Sequence, residues 1–316
     1  MELRQLRHFL EIVRCASFGR AAETLHITQP ALSKSIRNLE QSLDVVLLER
    51  HSGGVVPTPY GKVLYDYASF VTTELNRAVD EIDHMRGKGQ GVVRVGAGTS
   101  LLQYFLPEAV KAFAASGEVD TIQVRQGLRE ALLPLLRRGE VDIIVGSVNP
   151  EQCPSDLAFE LLMTDDLCVV ASADHPLAGR PQVAFEDMVD YKWIIPDVSE
   201  PEGNRLFRAF ETRRLPPPQT AVRTGSSVFM ASLLRDSQYL SYLPRALIHA
   251  HQDYRHLQPI NTPAIWDTVH VGVTYRRKGI MLPTTRRFIT QLKAVAQDMA
   301  DHAPVKPVPP QLAEER

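Results

Sequence analysis

The sequence predicts a mainly α N-terminal winged helix-turn-helix, then a long linker helix, then an α/β domain of two Rossmann-like subdomains. Three observations carry this. Residues 16–40 hold two short amphipathic helical segments around a tight turn. Residues 64–85 place apolar side chains at heptad spacing, and from residue 92 apolar strands alternate with helical segments. A chain of 316 residues has room for two or three such domains.

In ASFGRAAETLHITQPALSKSIRNLE, Phe18, Ala21, Ala22 and Leu25 share one helix face. The turn His26-Ile27-Thr28 follows. Thr28 is suited to cap a second helix with Pro30 in its first turn, where a missing N–H costs nothing. Leu32, Ile36, Leu39 and Leu43 would be its buried face, and Gln29, Ser33, Lys34 and Arg37 would be offered to solvent; with Thr28 and Pro30 these four are its candidate DNA-binding residues. In a helix-turn-helix the start of the second helix meets base edges in the major groove. No acidic residue lies between Glu23 and Glu40, so a phosphate backbone can approach this face.

A first helix over about residues 4–15 supplies Leu6, Phe9, Leu10 and Val13 as the third wall of this small core. After residue 40, Val45–Leu48, the turn Ser52-Gly53-Gly54 and Val55-Val56 read as a two-stranded wing. Arg50 and Thr58 at its ends are candidate phosphate or minor-groove contacts, with a salt bridge inside the domain as the competing role for Arg50. Pro59 opens a helix to about Arg86 in which Leu64, Ala68, Val71, Leu75, Ala78, Ile82 and Met85 alternate by four and three residues. That narrow stripe fits pairing with another helix, hence a dimer, better than packing on a broad core. Expected limits are 1–58 for the head, 59–87 for the linker helix, 88–91 for a glycine-rich hinge, 92–302 for the α/β domain and 303–316 for a proline-rich disordered tail.

Strands are expected at VVRVGAG, TIQVRQG, VDIIVGSV, LCVVASA, KWIIP, QTAVRTG and YLSYLP. Helices are expected from Thr99/Ser100, over LREALLPLLRRG, from Ser226 and over Thr284–Met299. In two-lobed α/β domains a ligand binds at the carboxyl ends of strands beside helix N-termini. Thr99, Ser100, Gln126, Ser147, Pro196, Ser199, Ser226 and Phe229 are the candidate effector contacts, with helix capping as a competing or additional role for Ser100 and Ser226.

Composition is that of an ordinary globular protein, with 44% apolar and 23% charged residues and a formal net charge of −2. The head has seven Lys/Arg against six Asp/Glu, so DNA affinity would have to come from local arrangement and from doubling the head. Cys15, Cys153 and Cys168 show no disulfide or metal-ligand spacing, which suits a reducing cytoplasm. Neither a transmembrane run nor a signal peptide is visible. Gly96-Ala97-Gly98 lacks the third glycine of a dinucleotide site because Leu101 stands there, and His249 and His251 would point apart on a helix. No nucleophile elbow or P-loop occurs, so neither catalytic nor metal residues are expected, and no cofactor beyond a small-molecule effector, an organic acid or a sugar.

The N-terminal stretch closely resembles the LysR-type transcriptional regulators. Matching residues are Leu6, Phe9 and Leu10; Ala16-Ser17-Phe18 with Ala21-Ala22 and Leu25; Thr28 through Ser33; Ile36, Leu39 and Glu40; Leu47-Leu48-Glu49-Arg50; and Thr58-Pro59-Tyr60-Gly61. Weaker likeness continues through Arg138–Ile143, Asp174–Leu177 and Leu243-Pro244. The resemblance implies a dimerising linker helix and an effector domain shaped like a type II periplasmic binding protein. Subdomain I would span about 92–164 and 269–302, and subdomain II about 165–268. It also implies a homodimer or homotetramer on promoter DNA, acting as activator or repressor, with RNA polymerase as a partner and no membrane. It places effector contacts at Ser100, Ser147 and Pro196. Leu128 and Ser147 depart from the pattern of aromatic-acid responders, some of which carry arginine where Ser147 stands. A sugar, a hydroxy acid or a less charged aromatic therefore stands level with a strongly anionic acid. The competing reading is a stand-alone solute-binding or enzymatic α/β protein with a structural helical extension.

Overall fold

The computed structural model describes residues 1–86, 91–116, 121–149, 153–195, 201–250, 252–265 and 268–302. Most of the expected hinge, and the tail at 303–316, lie outside them. The chain forms two compact units, Met1–Gly91 with Leu133–Val141, and Val92–Leu132 with Asp142–Arg316.

In the first unit, α1 (Leu3–Cys15), α2 (Phe18–Thr24) and α3 (Gln29–Leu43) enclose a core of Phe9, Ile12, Ala21, Leu32, Ile36 and Leu39. The cap residues act as the sequence expects: Ser17 Oγ accepts the Arg20 N–H, and Thr28 Oγ1 accepts the Ala31 N–H. Each such cap stabilises its helix by about 1 kcal/mol. Leu43, expected on the buried face, is 38% exposed, because α3 ends there and Asp44 turns into the left-handed region. The wing is the antiparallel pair β1 (Leu48–His51) and β2 (Gly54–Pro57), which starts at Leu48 rather than Val45. Its root is fixed by the Val55 N–H bond to Ala16 O. Gly54 is required there, since it has φ 130° and a Cβ would lie 2.8 Å from the same carbonyl.

The linker helix α4 runs over Pro59–Met85. Gly61 in its first turn lets the backbone lie against Leu47, where a Cβ would come within 2.1 Å of the carbonyl oxygen. Leu64 packs on the head core and Ala68 is buried, so neither belongs to an open seam. The exposed apolar stripe is instead Tyr60, Val63, Tyr67, Val71, Leu75, Val79, Ile82 and Met85. Further along, Arg77 is buried and donates to Glu74 and to the Gly139 carbonyl.

The second unit contains two α/β cores. One is a five-stranded sheet of order β4-β3-β5-β12-β6, with β3 (Val92–Ala97), β4 (Thr121–Gln126), β5 (Ile143–Ser147), β6 (Leu157–Asp165) and β12 (Val269–Arg276). Strands β3, β4 and β5 are parallel, and β12 runs antiparallel between β5 and β6. Helices α5 (Leu101–Tyr104), α6 (Leu106–Ala115) and α11 (Pro283–His302) supply its cover, and Phe113 meets Phe288 edge-on at 5.2 Å. Gly272 permits the close crossing of β6 and β12, since a Cβ would lie 2.7 Å from Glu160 O.

The other core has the antiparallel order β10-β7-β11, formed by β7 (Leu167–Ser172), β10 (Ser241–Pro244) and β11 (Leu257–Pro259). Beside it lies the parallel pair β8 (Lys192–Ile195) and β9 (Gln219–Arg223), joined through a Trp193–Leu240 bridge. Trp193 and Phe185 both pack edge-on against Phe210 of α8 (Pro201–Thr212). Helices α9 (Ser227–Leu234) and α10 (Arg245–Ala250) complete this unit, while α7 (Arg129–Arg137) belongs to it only through Leu132 and to the first unit from Leu133. Strands β6, β11 and β12 and helices α8 and α10 are additional to those expected from sequence.

Candidate nucleic-acid interface and effector cleft

The exposed face at the start of α3 carries Thr28, Gln29, Pro30, Lys34 and Arg37, with Ser33 half-buried beside them. Gln29, Lys34 and Arg37 make no side-chain bond among the described residues, so their donors stay available to an outside acceptor. The rear of α3 is tied down by His8 Nδ1 and Ser35 Oγ at 2.8 Å. Partial burial, and secondarily the nearby Arg4, lower the His8 pKa, which keeps the ring neutral there. Glu40, the acid at the far end of the face, turns inward and accepts the Leu47 and Leu48 N–H groups. This leaves the start of α3 positive and able to donate.

Two head residues take other roles. Arg50 lies 4.5 Å over the Phe18 ring, a cation–π contact that holds the wing to α2. Thr58 is 6% exposed; its hydroxyl donates to Val46 O and accepts the Gly61 N–H. It caps α4 instead of presenting a hydroxyl to phosphate, a role its place just before Pro59 already suggests. Of the remaining seam residues named from the sequence, Val71, Leu75, Ala78 and Ile82 are exposed.

In the second unit, β3, β4 and β5 end together at Ala97, Gln126 and Ser147. Gln126 Nε2 donates to Thr99 Oγ1 at 3.2 Å. Ser100 stands in helical conformation and caps nothing, so the capping role expected for it is not taken up; its backbone has already entered the helix. Ser226 does cap, accepting the Phe229 N–H at 3.2 Å, and Phe229 is 49% exposed beside it. Pro196 and Ser199 lie outside the described residues.

Three contributors were not anticipated. Arg129 Nη1 donates to the Ser147 carbonyl at 3.3 Å, and no carboxylate among the described residues pairs with it. A cation therefore sits at the end of β5 although residue 147 itself is serine. Gln103 and Tyr254 form a hydrogen-bonded group with Ser227. A lone amide in the apolar run LLQYFL was the available signal for Gln103. At the crossover from β6 to β7, Asp165 Oδ2 accepts the Tyr104 hydroxyl at 3.1 Å, while Oδ1 accepts the Asp166 and Ala246 N–H groups. Burial outweighs these bonds and raises the Asp165 pKa to about 6. Burial likewise pushes the Cys168 thiol up to about 12, so it remains a protonated core residue.

A helix-turn-helix with its wing, followed in the same chain by a two-lobed α/β domain, defines a DNA reader governed by a ligand-binding domain. The family model for the helix-turn-helix of bacterial regulatory proteins of the LysR family matches residues 3–62, and that for the LysR substrate binding domain matches residues 86–297. The chain belongs to the LysR family of transcriptional regulators. It is 30% identical over 250 residues to the regulator PcaQ of Agrobacterium fabrum, covering 79% of this chain and 80% of that one. It is 27% identical over 238 residues to TdcA of Escherichia coli, covering 75% of each. Among solved structures it is similar to CbnR, with a TM-score of 0.67, 19% identity, and 94% and 99% of the two chains covered. A full-length OxyR variant from Pseudomonas aeruginosa gives a TM-score of 0.66 at 22% identity, covering 94% and 95%. The competing reading, a stand-alone binding protein or enzyme with a structural extension, leaves the matched helix-turn-helix unexplained. No helix among the described residues is long and apolar enough to cross a membrane.

Proposed function

We propose that this regulator reads promoter DNA through Gln29, Ser33, Lys34 and Arg37 on α3, positioned by Thr28 and Pro30. The observation that carries it is the unpartnered donor set on that face, together with Glu40 turned away from it. Lys34 and Arg37 supply phosphate or guanine contacts, and Gln29 suits an adenine edge. Arg50 and Thr58 act indirectly, by holding the wing and the start of α4.

The exposed stripe of α4 pairs two chains, and four chains form the working assembly. Head, linker helix and effector domain divide at 1–58, 59–87 and 92–302. Thr99, Ser100, Gln126, Ser147, Arg129, Ser226 and Phe229 border the effector cleft, with Pro196 and Ser199 proposed from the sequence alone. The effector is an organic acid or a sugar, and Arg129 favours the acid. The protein works in the cytoplasm as a regulator without catalytic activity, needs no cofactor beyond the effector, and acts with RNA polymerase as activator or repressor. The structure of CbnR with its target DNA offers a precedent for the DNA-bound arrangement in another protein of this fold.

The experiment is a gel shift with DNA from upstream of the protein's own gene. A specific complex that scrambled DNA does not form at moderate salt is expected. Equal retardation of both probes would remove the sequence-specific reading.

A further inference from the structure

Gln103 sits on α5, beside the first sheet, and its carboxamide bonds to α9 and to the turn after α10, segments that connect strands of the second sheet and share one apolar core with α5. Its Nε2 donates to Ser227 Oγ at 2.5 Å and to the Thr99 carbonyl at 3.2 Å, while its Oε1 accepts the Tyr254 hydroxyl at 2.5 Å. Both amide hydrogens and one acceptor site are thus engaged. Ser227 opens α9, and Tyr254 closes a short 3-10 turn after α10. These partners are only 5% and 1% exposed. Moving α5 away from these segments would open the apolar core they share and leave polar groups that must be rehydrated or re-paired. The adjacent residue, Tyr104, bonds to Asp165 at the chain crossover. One short helix is therefore fastened to α9, to the turn after α10 and to the crossover from β6 to β7.

We propose that Gln103 is a positioning residue of the effector cleft: its carboxamide latches α5 to Ser227 and Tyr254 and so sets the resting closure of the domain. The proposal rests on reading this domain as an effector cleft. An effector shifts an equilibrium only by binding two arrangements unequally. The latch fixes the starting point of that equilibrium, and neutral bonds suit the task because each changes it by only about 2- to 10-fold. An effector entering between the lobes replaces one of these partners or tightens around them.

The test uses the full chain and three variants, Gln103→Leu, Tyr254→Phe and Ser227→Ala, with no ligand added. Backbone hydrogen exchange is read over 101–104, 227–230 and 252–254, with β3, β5 and β12 as internal controls. Gln103→Leu is expected to speed exchange in all three segments by about 5-fold or more, and the single-leg variants by about 2- to 10-fold, with the controls unchanged. Ligand-free transcription from a promoter that the wild type binds should shift in Gln103→Leu. Unchanged exchange overturns the latch, as does a rise spread through the controls, which would mark a loss of packing. A local rise with unchanged ligand-free transcription overturns its regulatory role. Failure of the wild type to bind its upstream DNA, with the local exchange pattern intact, would instead defeat the regulator reading and leave the latch standing.

Discussion

Glu40 Oε1 accepts the backbone N–H of Leu47 at 2.8 Å, joining the end of the recognition helix to the base of the wing. The same oxygen also receives the Leu48 N–H at 3.4 Å. A charged acceptor on two backbone donors contributes more than a neutral bond, and loss of it leaves those donors unpaired. Glu40→Ala is expected to destabilise the head by about 1.5–3 kcal/mol. Chemical denaturation of the variant measures this, and DNA affinity should fall with wing order even though a negative charge has been removed.

Leu64 and Leu75 lie on the same helix but face different partners. Leu64 packs on the core of the head, whereas Leu75 is 44% exposed. Leu64→Asp should therefore lower the melting temperature of the head by setting a half-buried charge against its apolar core. Leu75→Asp should leave folding intact and convert the dimer to monomer, read by sedimentation at fixed concentration.

Asp165 makes the effector domain sensitive to pH in a defined direction. Its pKa rises from 3.8 to about 6, chiefly through burial. The folded state therefore holds the proton more tightly than the unfolded chain does. This stabilisation is fully present below about pH 4 and is lost as pH rises to about 6, amounting to roughly 3 kcal/mol. Asp165→Asn removes it, so the variant should gain stability relative to the wild type as pH is raised from 4 to 7. Paired thermal melts across that range check the sign.

Arg129 sorts the candidate effectors by charge. A carboxylate effector, found by thermal-shift screening of small acids and sugars, should require at least about 10-fold higher concentration with Arg129→Ala, as expected when a charge-assisted bond is removed. A sugar effector should respond nearly alike to both proteins.

The head was legible because its signals are local: Ser17 and Thr28 cap helices a few residues away, and Pro30 and Pro59 mark helix starts. The seam was only half legible. Heptad spacing selected Leu64 and Ala68 but could not show that Leu64 packs on the head core and that Ala68 is buried, and it passed over Val63, Tyr67 and Val79, which are exposed. Strand β6 escaped because LAFELLMTD lacks clean alternation, and its partner β12 lies about a hundred residues away. The cleft was least legible. Ser100 and Ser226 look alike in sequence, but only Ser226 caps a helix, and Gln103 meets partners 124 and 151 residues distant.

The proposed reading of DNA by α3 can be measured by fluorescence anisotropy on DNA from upstream of the protein's own gene. Wild type and Lys34→Ala/Arg37→Ala would be titrated between about 50 and 200 mM salt. Weaker binding by the double variant is expected. Its salt slope should be shallower by about 1 for each phosphate that the variant no longer neutralises, and specificity should relax by about 1–3 kcal/mol where either side chain reads a base. Equal affinity, slope and specificity for the two proteins would contradict it.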